Sequence, residues 1–96
     1  MHVNTIYKAP KGIIRISAEV NDNKMSNVRI TGDFFMVPED SILTLEKYLE
    51  GTKLEYTSVS DAVNKFYLSG VMTPMVTKLD LVTAIMGVVV GERKTN

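Results

Sequence analysis

Acid–base or metal chemistry in this chain would have to draw on a single histidine, His2, on eleven carboxylates and on scattered hydroxyls, because the sequence has no cysteine. The missing cysteine removes a thiolate nucleophile, a thiolate zinc site, a cysteine-ligated iron–sulfur cluster and any disulfide framework. His2 lies beside the chain start, away from the firmly placed partners that catalysis or metal binding requires, and reads as an exposed terminal residue. Glu39 and Asp40 are adjacent acids, but after Pro38 they read as partners of the positive end of a helix dipole. Ser58 and Ser60 have no base in their sequence context, and helix capping accounts for Ser58. The six glycines are scattered, so no glycine-rich loop cradles a phosphate, and no metal-ligand spacing occurs. A self-contained active site is therefore not expected.

Two segments carry apolar side chains in unusual places. In Gly32-Asp33-Phe34-Phe35-Met36, two successive aromatics close a strand. Successive strand side chains point to opposite faces, so with Phe34 inside, Phe35 must lie outside or under a loop. Either the following helix covers Phe35, or Phe35 and Met36 meet another chain, since interfaces favour Phe and Met. The connection Val71-Met72-Thr73-Pro74-Met75-Val76 holds four large apolar side chains, where connections ordinarily run over the surface. Either they fold back onto the core edge, or Met72 and Met75 offer an adaptable contact to a partner.

The elements that must position these segments follow from periodicity. Val3 to Lys8 reads as a weak strand, with Val3, Thr5 and Tyr7 on one face and Ile6 on the other. From Ile13 to Val20 the alternation is clean: Ile14, Ile16, Ala18 and Val20 oppose Arg15, Ser17 and Glu19. Asn21-Asp22-Asn23-Lys24 is a turn. A third strand follows, with Val28, Ile30 and Phe34 alternating with Asn27, Arg29, Thr31 and Asp33; Gly32 within it suggests a bulge or a close approach. After Pro38 the period lengthens to about 3.6. A first helix is predicted over Glu39 to Glu50, with Ile42, Leu45, Leu49 and Tyr48 as its apolar stripe and Gly51 as its stop. A second starts with Ser58 as N-cap and Asp61 three residues on, buries Val59, Ala62, Val63 and Phe66, and ends at Gly70. A third starts at Thr77 with Asp80 in the third position, runs through Leu81, Val82, Ile85, Met86 and Val89, and ends at Gly91, with Glu92 to Asn96 fraying. The run Val88-Val89-Val90 could instead end extended. Three strands followed by three helices predict an α+β fold, a three-stranded antiparallel sheet with helices on one face.

Composition narrows the class of partner. Lys plus Arg and Asp plus Glu are 11 each, so net charge is zero, and no basic stripe marks a nucleic-acid binder. The longest near-apolar stretch, Ala84 to Val90, is too short to span a bilayer. No signal core is present, so the expected location is the cytoplasm. At 96 residues the chain fits one domain with a narrow stability margin, which a partner surface would widen.

Lys11-Gly12-Ile13-Ile14-Arg15-Ile16, the strand end Glu19-Val20, and Val28-Arg29-Ile30-Thr31-Gly32-Asp33-Phe34-Phe35 resemble the C-terminal accessory domain of bacterial-type lipoate-protein ligases. The similarity continues through an acidic helix start and Leu45-Glu46-Lys47-Tyr48-Leu49-Glu50-Gly51, covering roughly residues 8 to 70. In that family a larger domain binds lipoate and ATP, forms lipoyl-adenylate and transfers the lipoyl group to a lysine of a carrier domain. The accessory domain is associated with the adenylation half-reaction and with conformational change between the two steps, and in some members it is a separate polypeptide.

The resemblance implies that this chain is such a separate subunit, forming a heterodimer with a catalytic lipoate-protein ligase chain and serving a lipoyl carrier domain indirectly. It implies no cofactor on this chain alone, with ATP, Mg and lipoate on the catalytic partner. It also marks Lys11, Gly12, Gly32, Asp33 and Phe35 as candidates for partner contact or activation. Lys11 is either an ordinary solvated lysine or a positive charge near the partner's triphosphate or carboxylate. Gly12 permits close backbone approach. Asp33 either pairs with a basic partner residue or finishes its strand. The competing expectation is a non-catalytic α+β binding or scaffold domain with an unrelated protein partner.

Overall fold

The alternating stretches form a three-stranded antiparallel sheet in the order β1-β2-β3, comprising β1 (His2–Ala9), β2 (Gly12–Asn21) and β3 (Lys24–Asp33). The computed structural model describes residues 1–94, and side chains through Val88. Ile14, Ile16, Ala18 and Val20 of β2 are buried, as are Val3 of β1 and Met25, Val28 and Ile30 of β3. Ile6 points the other way and is 62% exposed. Asp22 and Asn23 turn β2 into β3 with φ of 51° and 61°, the doubly left-handed geometry of a two-residue hairpin that Asn and Asp tolerate.

The strand irregularity falls at Asn27 rather than at Gly32. Ser17 pairs with Arg29 but Glu19 with Ser26, so two steps along β2 match three along β3, and Asn27 has φ of 50°. The physical reason is parity. Met25 and Val28 are an odd number of residues apart, and one extra residue lets both face the core.

Three helices follow, α1 (Ser41–Leu49), α2 (Tyr56–Leu68) and α3 (Lys78–Lys94). The predicted α+β architecture is present. α3 lies over β1 and β2, α1 lies over β3, and α2 packs against α1 and α3. Phe66, Leu45, Leu49, Leu81 and Ile85 meet the sheet's apolar face in one core, all fully buried.

Helix boundaries depart from expectation in three places. α1 starts at Ser41, so Pro38, Glu39 and Asp40 precede it. Val37 is held extended by two backbone hydrogen bonds with Met72, and Pro38 to Asp40 make the turn into the helix; the Val37–Pro38 peptide is cis. Tyr48 is 42% exposed and lies outside the buried stripe. α2 starts at Tyr56, which places Ser58 inside the first turn instead of at the cap. The segment before it pairs with the start of β3, Met25 N–H donating to the Thr52 carbonyl and Leu54 N–H to that of Asn23. Glu55 is therefore extended, and its carbonyl accepts the Val59 N–H. In α3, Gly91 and the valine run are helical. Val88 is fully buried, so packing on the sheet overrides β-branched propensity. The side chain of Val89, and Thr95 and Asn96 in the expected frayed tail, lie outside the described residues.

The expected start of α3 is present in full. Thr77 N–H donates to Asp80 Oδ2 at 2.9 Å, and Asp80 N–H donates to Thr77 Oγ1 at 3.0 Å, a reciprocal cap. Tyr7 of β1 donates its hydroxyl to Asp80 Oδ1 at 3.1 Å. The Thr77 N–H, with help from Tyr7, holds the Asp80 carboxyl below its usual range, and the same hydrogen bond raises the Tyr7 phenol. Thr77→Ala is expected to cost about 1 kcal/mol, read as a lower urea midpoint. A carboxyl depressed by folding stabilises the fold at neutral pH and loses that contribution as pH falls through its folded pKa. The stability gap between the unaltered chain and Asp80→Asn should therefore shrink on acidification.

Two glutamates of α1 meet the outer edge of β3. Ile30 N–H donates to Glu46 Oε2 at 2.7 Å, and Val28 N–H to Glu50 Oε1 at 3.2 Å. These bonds fix α1 against the sheet and satisfy edge donors that β2 cannot reach.

Candidate partner-docking site

The candidate residues gather at one end of the sheet, where the β1–β2 turn, the end of β3 and the connection between α2 and α3 meet. A cleft of about 380 Å³ there is lined by Lys8, Lys11, Gly12, Asp33, Phe35 and Met75, among others. Five of the eight predicted residues therefore share one site. Gly32 lies one residue away on β3, paired with Ile14. Met72 is on the same connection as Met75.

Both glycines are required by the chain's own backbone. A Cβ at Gly12 would stand 2.9 Å from the Asp33 carbonyl oxygen and 3.2 Å from Phe34 Cβ. A Cβ at Gly32 would overlap the Ile13 carbonyl oxygen and approach the Phe34 ring at 3.0 Å. The close approach expected from these glycines is thus between β2, β3 and Phe34. It draws Lys11 and Asp33 to the same end of the sheet, where both are exposed and, among the described residues, neither forms an ion pair within 4 Å.

The two apolar segments resolve residue by residue. Phe34 packs against the core, and Phe35 is 67% exposed; α1 does not cover it. Met36 is 7% exposed and belongs to the core, so its side chain is not part of the open surface. In the second segment Val71 and Val76 are buried, Met75 is half-buried and Met72 is 60% exposed. Thr73 anchors this connection, donating to the Val76 carbonyl at 2.9 Å and bonding Tyr67, whose phenol is raised by burial.

Val37 was missed in the sequence. Val37 and Met72 exchange backbone hydrogen bonds of 2.9 and 3.0 Å, and directly paired residues project to the same side. With Phe35 two residues earlier, they form an apolar strip of three exposed side chains. The signal was the alternation of Phe35 and Val37 around buried Met36. Strip and cleft together have an apolar centre with Lys8, Lys11 and Asp33 at the rim, the anatomy of a protein interface. Met72 and Met75 are adaptable members of it.

His2 is better connected than its position suggested. Its Nδ1 lies 3.0 Å from Glu19 Oε1 and its Nε2 lies 3.0 Å from Ser17 Oγ. The order of contacts is that of an acyl-transfer triad, yet the His2 side chain is 52% exposed on an open sheet face. No walls enclose a reacting group there, and the chain of bonds ties the start of β1 to β2. The signal was the register, which sets His2 opposite Glu19. Among the described residues, no group of three His, Cys, Asp or Glu side chains is placed to hold a metal ion, and no helix is long and apolar enough to cross a membrane.

Comparison with known proteins agrees with this architecture. The family model described as bacterial lipoate protein ligase C-terminus matches residues 1–85. Lipoate-protein ligase A subunit 2 of Thermoplasma acidophilum is 42% identical over 79 residues, 82% of each chain. A chain from the solved structure of a bi-partite lipoate protein ligase and its E2 lipoyl domain from Thermoplasma acidophilum superposes with a TM-score of 0.82 at 39% identity, covering 88% of this chain and 94% of that one. With the family model spanning most of the sequence and the fold shared, this chain belongs to the bacterial lipoate protein ligase C-terminus family.

Proposed function

We propose that this chain is the small subunit of a two-chain lipoate-protein ligase, required with a catalytic chain for the ATP-dependent activation of lipoate to lipoyl-adenylate. The observation that carries this reading is coverage. The chain matches 94% of a chain from a bi-partite ligase, so the likeness is to a whole separate chain. In this reading the candidate side chains supply the surface on which the catalytic chain seats, and ATP, Mg and lipoate lie on that chain.

The subunit acts by binding. The strip of Phe35, Val37 and Met72 seats on the catalytic chain, with Lys11 and Asp33 setting the register at the rim. A subunit that prefers the conformation holding ATP and lipoate in line raises the population of that conformation. Aligning two reactants is itself a large rate factor. The completed lipoyl-adenylate then passes its acyl group to the amine of a carrier-domain lysine, releasing AMP.

The test is lipoate-dependent ATP–pyrophosphate exchange by the catalytic chain of the same source, with and without this chain. Exchange that depends on both chains is the expected result. Exchange at full rate from the catalytic chain alone would overturn the role in activation.

A further inference from the structure

We propose that the open face of the sheet is a second docking surface, one that receives carboxylates on the lipoyl carrier domain during transfer. The proposal rests on the two-chain ligase reading above and adds a contact to it.

The face is built from residues the core does not use. Arg15 pairs with Thr31 and Ser17 with Arg29 across β2 and β3, while Ile6 and Asn4 of β1 stand opposite Arg15 and Ser17. These six residues line one hollow of about 260 Å³. Arg15 and Arg29 are both exposed. Among the described residues, no carboxylate lies within 4 Å of either guanidinium. The nearest acid along β2, Glu19, is bonded to His2, and Asp33 sits at the far end opposite Ile13. A chain of zero net charge thus brings together two guanidiniums with no acidic partner among the described residues, along with two hydroxyls and an amide, on one sheet face.

The chemistry of that surface selects its occupant. Paired guanidiniums present planar forks of donors that match carboxylates in bidentate fashion. The two guanidiniums stand on one exposed sheet face, where carboxylates borne on a partner's surface can reach both at once. Ile6, 62% exposed beside Arg15, adds an apolar contact that a free anion would not use. Position singles out the carrier. One step along one face of β2 and β3 from Arg15 and Thr31 lie Ile13 and Asp33, and both of these line the cleft assigned to the catalytic chain. A carrier held on the open face would sit beside the catalytic chain, as acyl transfer to its lysine demands.

The experiment uses the two-chain complex with Arg15→Glu and Arg29→Glu combined, and with Arg15→Lys and Arg29→Lys as a charge-preserving control. Lipoyl transfer is followed against concentration of the carrier domain, and ATP–pyrophosphate exchange is measured in parallel. Charge reversal at both positions should raise KM for the carrier about tenfold or more, with kcat and exchange unchanged. The lysine pair should recover most of the loss. Added salt should weaken the unaltered complex towards the glutamate variant. An unchanged KM would overturn the proposal. A parallel loss of exchange would overturn it too, by assigning the face to the catalytic chain. Failure of the two-chain reading shows separately, as exchange that does not need this chain.

Discussion

Phe35→Asp should weaken binding to the catalytic chain at least about 30-fold while leaving the fold intact, because a buried aromatic anchor at an interface is worth about 2 kcal/mol or more. Phe35 is 67% exposed in the isolated chain, so aspartate there meets water and changes stability by no more than about 0.5 kcal/mol. In the complex the same carboxylate would be desolvated among Val37, Met72 and the partner's apolar surface. Calorimetric titration gives the affinity, and a urea melt of the isolated chain separates binding from folding. An unchanged dissociation constant would remove the Phe35 strip from the interface. A matched fall in stability would show that Phe35 supports the fold.

The second large effect lies in the core. Phe66→Ala should cost about 3–5 kcal/mol, since it opens a cavity where the side chain is fully buried. It also removes the edge-to-face contact with Tyr67, whose ring centroid is 5.4 Å away. A domain this small sits towards the low end of the roughly 5–15 kcal/mol typical of native proteins, so the substitution removes most of its stability. The variant's far-ultraviolet circular dichroism should fall with mild urea. Saturating catalytic chain should restore the signal, because a partner that binds only the folded form adds stability in proportion to the logarithm of its concentration over Kd. A loss below about 1.5 kcal/mol would mean that α2 collapses into the space.

What the sequence made legible follows the strength of each local signal. Ile14, Ile16, Ala18 and Val20 alternate without interruption, and β2 is where they place it. The exposure of Ile6 followed from the same period. Asn and Asp at the β2–β3 turn, and Thr77 with Asp80 at the start of α3, each carry a chemical reason that survives any tertiary context. Starts set by distant pairing were not legible. α1 is delayed by the Val37–Met72 bridge, and α2 is advanced by the pairing of residues 52 and 54 with β3. Neither contact has a signature within the helix it bounds. Of the two readings glycine offers within a strand, a bulge or a close approach, Gly32 takes the second, and the broken parity between Met25 and Val28 places the bulge at Asn27.

At the site, Lys11, Gly12, Asp33, Phe35 and Met75 converge as their place in the strands and turn suggested. Met36 could not be assigned from interface propensity, because its burial depends on the chain crossing over the core immediately after Phe35. The juxtaposition of Arg15 and Arg29 was hidden for a different reason. Two arginines 14 residues apart look unrelated until the register sets them diagonally on one face.

The carboxylates that α1 lends to β3 have a consequence for how molecules of this chain meet one another. A strand from a second molecule adding to that side would have to displace charge-assisted bonds at Val28 and Ile30, then lay its own carbonyls beside Glu46 and Glu50. Sheet growth is closed in that direction. β1, the opposite edge, carries exposed Asn4, Ile6 and Lys8, and among the described residues no side chain bonds its outer backbone groups as Glu46 and Glu50 bond those of β3. Edge-to-edge aggregation, if the chain is stored without a partner, is therefore polar: it starts from β1 and stops at pairs, because the second edge of each molecule is capped.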